Sequence, residues 1–343
     1  MSEHQAAVLV GPGQPFDLTN RPTPSPGPKD ILIQAKAIAL NPLDWVLSAT
    51  GYGIESFPAV LGSDVAGFVV AVGAEVPADA PQPGARVVGM APSFFFKGAP
   101  NYGAFQELVL VPYISVTPLP DFITFPEASS LPMAVQTAWA GWHTLGVPLG
   151  SHYSPADKKA VLIWGGSSSV GTAAIQTAKS LGLVVYATAS PQHHDYLQQL
   201  GATKVFNYKA DDVVQEIVAT VQEDGVTLDI VFLATGSLQP SQDILAALNP
   251  SGGATLASAP LVAADAPQVE GVTVKFVMLP FDEQQQVAYV SRIFQEWLPE
   301  SLDTGDFVPS PPVQILDGGL AAIQDGLTTV QQGVSGQKLV VEL

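Results

Sequence analysis

The spacing of apolar residues changes character once along this chain, near residue 121. Before that point, short alternating stretches predict strands, at Ile31-Leu32-Ile33-Gln34-Ala35-Lys36-Ala37-Ile38 and at Val65-Ala66-Gly67-Phe68-Val69-Val70-Ala71-Val72-Gly73. Glycine and proline separate such stretches. The run Arg21-Pro22-Thr23-Pro24-Ser25-Pro26-Gly27-Pro28 is a connector in which no helix persists. This pattern predicts a compact, barrel-like β unit.

Beyond residue 121 strands alternate with helices. A helix over 125–145 precedes the apolar run Ala160-Val161-Leu162-Ile163-Trp164, a strand. In the next helix Val170, Ala173, Ala174, Ile175, Ala178 and Leu181 recur near a 3.6-residue period, and Gly182 stops it. Strands follow at 183–188, 204–207, 228–233 and 254–257. Between them lie a helix over 193–200 closed by Gly201, an amphipathic helix capped by Asp211 and carrying Val214, Ile217, Val218 and Val221, and a helix over 241–248. A last helix over 284–298 places Val287, Val290, Ile293, Phe294 and Trp297 on one face, and the tail ends in a strand over 338–343. The fold class is therefore α/β. A β domain over 1–120, completed by 299–343, accompanies a doubly wound parallel sheet over 121–298.

The first chemistry lies between the strand at 160–164 and its helix, at Gly165-Gly166-Ser167-Ser168-Ser169-Val170-Gly171. A strand running into such a turn and then a helix points backbone N–H groups and a helix dipole at an anion, so a phosphate-bearing ligand is expected here.

Composition narrows the field. The 343 residues are 47% hydrophobic and 13% charged, enough to bury a large core in two domains. The formal charge of −18 argues against nucleic acid and anionic membranes as partners. No run approaches the ~18 apolar residues of a membrane span. Met1-Ser2-Glu3-His4-Gln5 lacks the blocks of a secretory signal, so the expected location is the cytoplasm. There is no cysteine and there are five histidines, of which His193 and His194 are adjacent and point about 100° apart on a helix. No metal site is expected.

Several short blocks stand in an order that resembles the medium-chain dehydrogenase/reductase superfamily over essentially the whole chain. They are Asn41-Pro42-Leu43-Asp44, Pro58-Ala59-Val60-Leu61-Gly62-Ser63-Asp64-Val65-Ala66-Gly67, Gly103-Ala104-Phe105-Gln106-Glu107, Leu131-Pro132 with Thr137-Ala138, the glycine turn, and Gly336-Gln337-Lys338-Leu339-Val340. The resemblance implies a GroES-like β domain, a Rossmann domain and a catalytic cleft between them. Its zinc-dependent members place cysteine and histidine at the positions of Asn41 and Ser63, so catalytic zinc, which needs about three N, O or S ligands, is not expected. The zinc-free branch remains: quinone oxidoreductases and the fungal trans-acting enoyl reductases that partner polyketide synthases. Gly165-Gly166-Ser167-Ser168-Ser169 and Ala189-Ser190-Pro191-Gln192-His193 look more like the second group. In that group a lysine commonly follows the first block closely, whereas Trp45 and Val46 follow here.

In a Rossmann unit an acidic residue ending the second strand accepts hydrogen bonds from the ribose of NAD. That strand ends here at Ser190, whose hydroxyl can donate to the 2′-phosphate of NADP or cap the following helix. The expected cofactor is NADP(H). It is expected to be held by Gly166, Ser167, Ser168, Ser169 and Val170 in the turn and by Ser190 and His193 beyond it. Tyr208 matches a family position at the adenosine pocket and Thr137 one facing the nicotinamide. Ser258 and Ala259 end a parallel strand at the edge where ligands bind. Val277, Met278 and Leu279 resemble the segment shaping the nicotinamide pocket, or form an apolar strand. Asn41 and Asp44 are expected near the cofactor.

The reaction this implies is reduction of a carbon–carbon double bond beside a carbonyl. Hydride attack leaves negative charge that hydrogen-bond donors must meet. Tyr52, which matches a tyrosine of the quinone reductases, is the expected catalytic donor, with Asn41 and Asp44 as further candidates. A lid over the core is the alternative for Tyr52, and water is an alternative acid. Trp45, Phe94-Phe95-Phe96 and Leu279 are the apolar residues expected around the substrate. Expected partners are an enone, quinone or enoyl thioester and a polyketide synthase, with the chain a monomer or homodimer. A quinone oxidoreductase and a non-catalytic NADPH-binding protein are the alternatives.

Overall fold

The computed structural model describes residues 2–263 and 265–343. One compact unit comprises Met1–Met133 with Val287–Leu343, and the other Ala134–Gln286. The first unit opens with β1 (Glu3–Leu9) and β2 (Phe16–Pro22), an antiparallel pair. β3 (Asp30–Ala39) and β4 (Asp64–Val72) are the two alternating stretches of the sequence, followed by β5 (Arg86–Met90), β6 (Leu108–Pro112) and β7 (Val116–Pro118). Between β3 and β4 lies helix α1 (Pro42–Thr50), and after β7 a short α2 (Phe125–Ser129).

The second unit takes in most of α3 (Pro132–Thr144) and then alternates as expected. Its elements are β8 (Lys159–Trp164), α4 (Ser169–Ser180), β9 (Val184–Ala189), α5 (His194–Leu200), β10 (Lys204–Asn207) and α6 (Val213–Asp224), then β11 (Thr227–Leu233), α7 (Leu238–Leu248), β12 (Ala254–Ser258) and β13 (Val272–Phe276). The strands form one parallel sheet in the order β10-β9-β8-β11-β12-β13. The chain winds outward from β8 on one side and from β11 on the other, so the strand order reverses between them. In open α/β sheets that reversal is where ligands bind, outside the carboxyl ends of the strands. Apolar faces of α6 and α7 close one side of the sheet, with Val213, Ile217, Val221, Ile244 and Leu245 packed with Leu162, Val231 and Leu256.

The tail belongs to the first unit. After α8 (Glu283–Ser291), a π-helical turn at Arg292–Trp297 and α9 (Leu298–Thr304) come β14 (Val313–Leu316), α10 (Ile323–Gln332) and β15 (Lys338–Glu342). β15 pairs antiparallel with β3, which lies between β15 and β4 in a seven-stranded sheet. Among the described residues no helix is long and apolar enough to cross a membrane.

Several boundaries differ from expectation. The units divide at 133/134 and 286/287 rather than 120/121 and 298/299. The reason is packing. Phe125 sits edge-on to Phe68 at 5.0 Å and under the Arg86 guanidinium at 4.8 Å, while Gln295 donates to the Tyr113 carbonyl at 3.2 Å. The helix expected over 125–145 is two helices, broken where Pro132 removes a backbone donor. Asp212, not Asp211, precedes α6, and its side chain makes no capping bond. The helix expected over 284–298 is interrupted by the π turn, which leaves Val287 exposed while Val290, Ile293 and Phe294 are buried. The edge strand ends at Phe276, so Val277, Met278 and Leu279 follow a strand rather than form one.

Candidate functional site

The turn after β8 is built from its own hydrogen bonds. Gly165 has φ 83°, and its amide donates to Thr188 Oγ1 at 3.0 Å, while the Gly166 amide donates to the Thr188 carbonyl at 2.8 Å. These two bonds tie the turn to the end of β9. Ser168 caps α4: its Oγ accepts from the Gly171 amide at 3.0 Å and donates to the Gly165 carbonyl at 2.8 Å. Gly171 must be glycine, because a Cβ there would stand 2.3 Å from the Gly165 oxygen. The turn is thereby folded tightly against the helix. It leaves the first-turn amides of Ser169 and Val170 without an intrahelical acceptor, next to the hydroxyls of Ser167 and Ser169. These groups and the positive end of α4 suit a phosphate diester. Ser168, expected as a cofactor ligand, also shapes the turn, since both its amide and its hydroxyl bond to the Gly165 carbonyl.

Further along the same edge the β9–β10 register pairs Ala189 with Asn207. Ser190 and Tyr208 therefore leave adjacent strands side by side. Ser190 has extended backbone, and its hydroxyl makes no capping bond to the turn Pro191–His193. It is half-buried, whereas Tyr208 is 42% exposed. His193 lies in the same short turn, with its Nε2 3.2 Å from Gln192 Nε2.

On the other side of the strand reversal the expected residues are less open. Ser258 is 1% exposed and its Oγ donates to the Pro260 carbonyl at 2.8 Å, so its hydroxyl is held within the loop. The Ala259 amide donates to the Leu233 carbonyl at 2.9 Å. Met278 donates its amide to Thr144 Oγ1 at 3.1 Å, which fixes the segment after β13 to α3, the helix carrying half-buried Thr137. Met278 is exposed and Leu279 half-buried.

In the first unit, the structure draws Asn41 and Asp44 into its interior. Asn41 precedes α1, and its backbone N–H donates to Asp44 Oδ2 at 2.9 Å. Asn41 Nδ2 donates to Asp64 Oδ2 at 2.8 Å, and Lys338 Nζ donates to Asn41 Oδ1 at 2.6 Å. Lys338 also pairs with Asp64 Oδ2 at 3.3 Å, and the Met133 amide donates to Asp64 Oδ1 at 2.7 Å. Asn41 and Lys338 are 4% exposed, and Asp44 and Asp64 not at all. The side chains expected near the cofactor thus bond within this cluster. Two of its members, Asp64 and Lys338, were assigned no role from sequence. The available signal was a lysine heading the apolar run Lys338-Leu339-Val340-Val341 in a chain with 13 cations.

Burial raises the Asp64 carboxyl above the ordinary range, opposed first by Lys338 and then by the Asn41 amide. Burial, followed by the charge of Asp64, pushes the Asp44 carboxyl up to about 7. Asp44 Oδ1 is buried with no hydrogen-bond partner, which fits a group that is neutral over much of the acid range. The unfolded chain gives up this proton near 3.8 while the folded protein holds it to about 7. Stability from this group is therefore lost as pH rises through that window, by about 1.4 kcal/mol per pH unit at most. Asp44→Asn should flatten urea-unfolding stability between about pH 4 and 7 and be the more stable form at pH 8. Equal slopes in the two proteins would contradict the assignment.

Tyr52 is 61% exposed in the turn after α1, and its ring stacks on Phe94 at 6.3 Å. Phe95 meets Phe94 edge-on at 5.6 Å. The three rings make a continuous aromatic patch, and Trp45, also expected around the substrate, is half-buried. Ser63, at 1% exposure, leaves its Oγ without a partner. Among the described residues no three His, Cys, Asp or Glu side chains gather as metal ligands.

Comparison with known proteins settles the family. Residues 27–121 match the alcohol dehydrogenase GroES-like domain and residues 169–284 the zinc-binding dehydrogenase family. The chain is 46% identical over 345 residues to the trans-enoyl reductase tndF of Aspergillus flavipes, covering 99% of both chains. It belongs to the medium-chain dehydrogenase/reductase superfamily. Within that superfamily it groups with fungal trans-enoyl reductases. The trans-enoyl reductase tazE of Aspergillus terreus is 45% identical over 82% of this chain and 94% of its own. An alcohol dehydrogenase superfamily protein of Novosphingobium aromaticivorans shares the fold at a TM-score of 0.79 and 24% identity, over 99% of each chain. As a member, the protein is an oxidoreductase that uses a nicotinamide dinucleotide, and the turn Gly165–Gly171 with α4 fits the cofactor's pyrophosphate.

Proposed function

We propose that this protein is an NADPH-dependent reductase of carbon–carbon double bonds conjugated to a carbonyl, acting on an enoyl thioester delivered by a polyketide synthase. The observation that carries the reading is end-to-end similarity to a trans-enoyl reductase, at 46% identity, in a chain with Asn41 and Ser63 at the zinc-ligand positions of its metal-dependent relatives. When bound, the cofactor supplies the hydride. Ser167, Ser169 and Val170 hold its pyrophosphate, and Ser190, with Tyr208 and His193 beside it, receives the adenosine end. Thr137, Ala259, Met278 and Leu279 line the nicotinamide end.

No carboxylate follows β9 at Ser190, so a 2′-phosphate meets a donor there instead of a repelling charge. The substrate carbonyl takes up the charge left by hydride attack, and a hydroxyl donor, for which Tyr52 is assigned, needs only to stabilise it. Asn41, Asp44, Asp64 and Lys338 act one step removed, by fixing the start of α1 and therefore the turn that carries Tyr52. The aromatic patch of Tyr52, Phe94 and Phe95 supplies apolar surface for the acyl chain. Cytoplasmic location belongs to the same proposal.

The test is a side-by-side measurement of NADPH consumption with simple enones, quinones, free 2-enoyl thioesters and carrier-tethered 2-enoyl thioesters. The tethered thioester is expected to turn over fastest, without loss in strong chelator. Quinones alone as substrates would overturn the reading in favour of a quinone oxidoreductase. Binding without any turnover would reduce the protein to a cofactor carrier.

A further inference from the structure

The second unit contains six lysines and no arginine: Lys158, Lys159, Lys179, Lys204, Lys209 and Lys275. Their places in the parallel sheet differ sharply. Lys158 and Lys159 stand at the amino end of β8, where Lys159 pairs with Asp229 at 2.6 Å. Lys204 opens β10 and pairs with Asp224 at 2.9 Å. Lys179 lies in the last turn of α4, its stem against Gly201. Lys275 is in β13, at the opposite edge of the sheet from β10. Lys209 is thus the single lysine that follows the carboxyl ends of β8, β9 and β10.

Its setting is defined. Asn207 Oδ1 accepts from the Lys209 amide at 3.1 Å, which fixes the turn leaving β10. Lys209 Nζ lies 5.6 Å from the centroid of the Tyr208 ring, a cation–π distance that holds the ammonium at this edge. Asp211 and Asp212 follow closely in sequence, yet Lys209 makes no ion pair with any described carboxylate. The neighbouring strand β9, in register Ala189 to Asn207, delivers Ser190 beside it. Adjacent strands lie about 4.8 Å apart, within reach of a lysine side chain. In a chain of formal charge −18, a phosphate monoester approaching this edge needs a local cation.

We propose that Lys209 is the residue that reads the 2′-phosphate of the cofactor, positioned by the ring of Tyr208 and working with the hydroxyl of Ser190. The inference rests on the NADPH reading above. It adds a lysine cation to the hydroxyl and imidazole donors the sequence offered there, and it makes cofactor choice a property of two neighbouring strand exits rather than of Ser190 alone.

The test uses the full chain and the variants Lys209→Met and Lys209→Arg, with dissociation constants for NADPH, NADH and the fragment 2′,5′-ADP read by calorimetry. Lys209→Met is expected to weaken NADPH and 2′,5′-ADP about tenfold and to leave NADH unchanged. Lys209→Arg should retain affinity for both phosphorylated ligands. Raising the salt concentration should narrow the gap between the unmodified protein and Lys209→Met. Unchanged NADPH affinity in a folded Lys209→Met protein overturns the role of Lys209, as does an equal loss of NADH. If the unmodified protein binds NADH as tightly as NADPH, the underlying reading fails and the role of Lys209 falls with it.

Discussion

Replacing Lys338 by methionine is expected to destabilise the first unit by about 3–5 kcal/mol, because it removes one partner from a buried, hydrogen-bonded charge pair. The lysine head touches two side chains at once, Asn41 Oδ1 at 2.6 Å and Asp64 Oδ2 at 3.3 Å. Without it, the Asp64 carboxylate keeps the Met133 amide and Asn41 Nδ2 as donors, but no cation opposes the burial that already raises its pKa. Asn41 Oδ1 would lose its hydrogen bond at a buried position. Three elements share the damage, because Asn41 immediately precedes α1, Asp64 starts β4 and Lys338 starts β15. The double variant Lys338→Met with Asp64→Asn should recover part of the loss, since the uncompensated charge is gone. Urea unfolding followed by circular dichroism measures both. A single-variant loss below about 0.5 kcal/mol, the range of ordinary surface substitutions, would contradict this account of the cluster.

The second large effect concerns the cofactor. Ser190→Asp should weaken NADPH roughly ten- to hundredfold, as expected when a charge-assisted hydrogen bond worth about 1.5–3 kcal/mol is replaced by repulsion. The same carboxylate can accept hydrogen bonds from the ribose hydroxyls of NADH, so NADH binding should improve. The structure favours this substitution for a test, because the Ser190 side chain makes no capping bond that the change would break. Michaelis constants for the two cofactors in both proteins decide the matter. A preference for NADPH that survives the substitution undiminished would show that Ser190 does not face the phosphate.

The two compact units were legible to different degrees, and for physical reasons. The parallel sheet is plain in sequence because its strands are buried apolar runs and its helices carry a 3.6-residue stripe, as in Ala173, Ala174 and Ala178 of α4. The phosphate turn is plain because Gly171 answers a local steric demand from Gly165. The edge strand β13 was missed since Thr273, Lys275 and Phe276 are exposed and give no buried run. The capping role of Ser168 was not legible, because a serine that caps a helix and a serine that binds phosphate occupy the same kind of position. The cluster of Asn41, Asp44, Asp64 and Lys338 was legible only in part. Its closing bond joins residues 297 positions apart, and no local periodicity announces such a partner. The block Asn41-Pro42-Leu43-Asp44 was legible as a motif, while the burial of Asn41 and Asp44 and their bonds at the start of α1 were not.

The central claim, reduction of a double bond beside a carbonyl at the expense of NADPH, is tested most directly by following a label. The unmodified protein is supplied with NADPH carrying deuterium at the transferable position and with a 2-enoyl thioester, and the product is examined by mass spectrometry and NMR. The account predicts a saturated thioester with one deuterium, bound to the carbon β to the carbonyl. Rapid oxidation of simple alcohols by NADP, with no deuterium transferred to any enoyl thioester, enone or quinone, would contradict it.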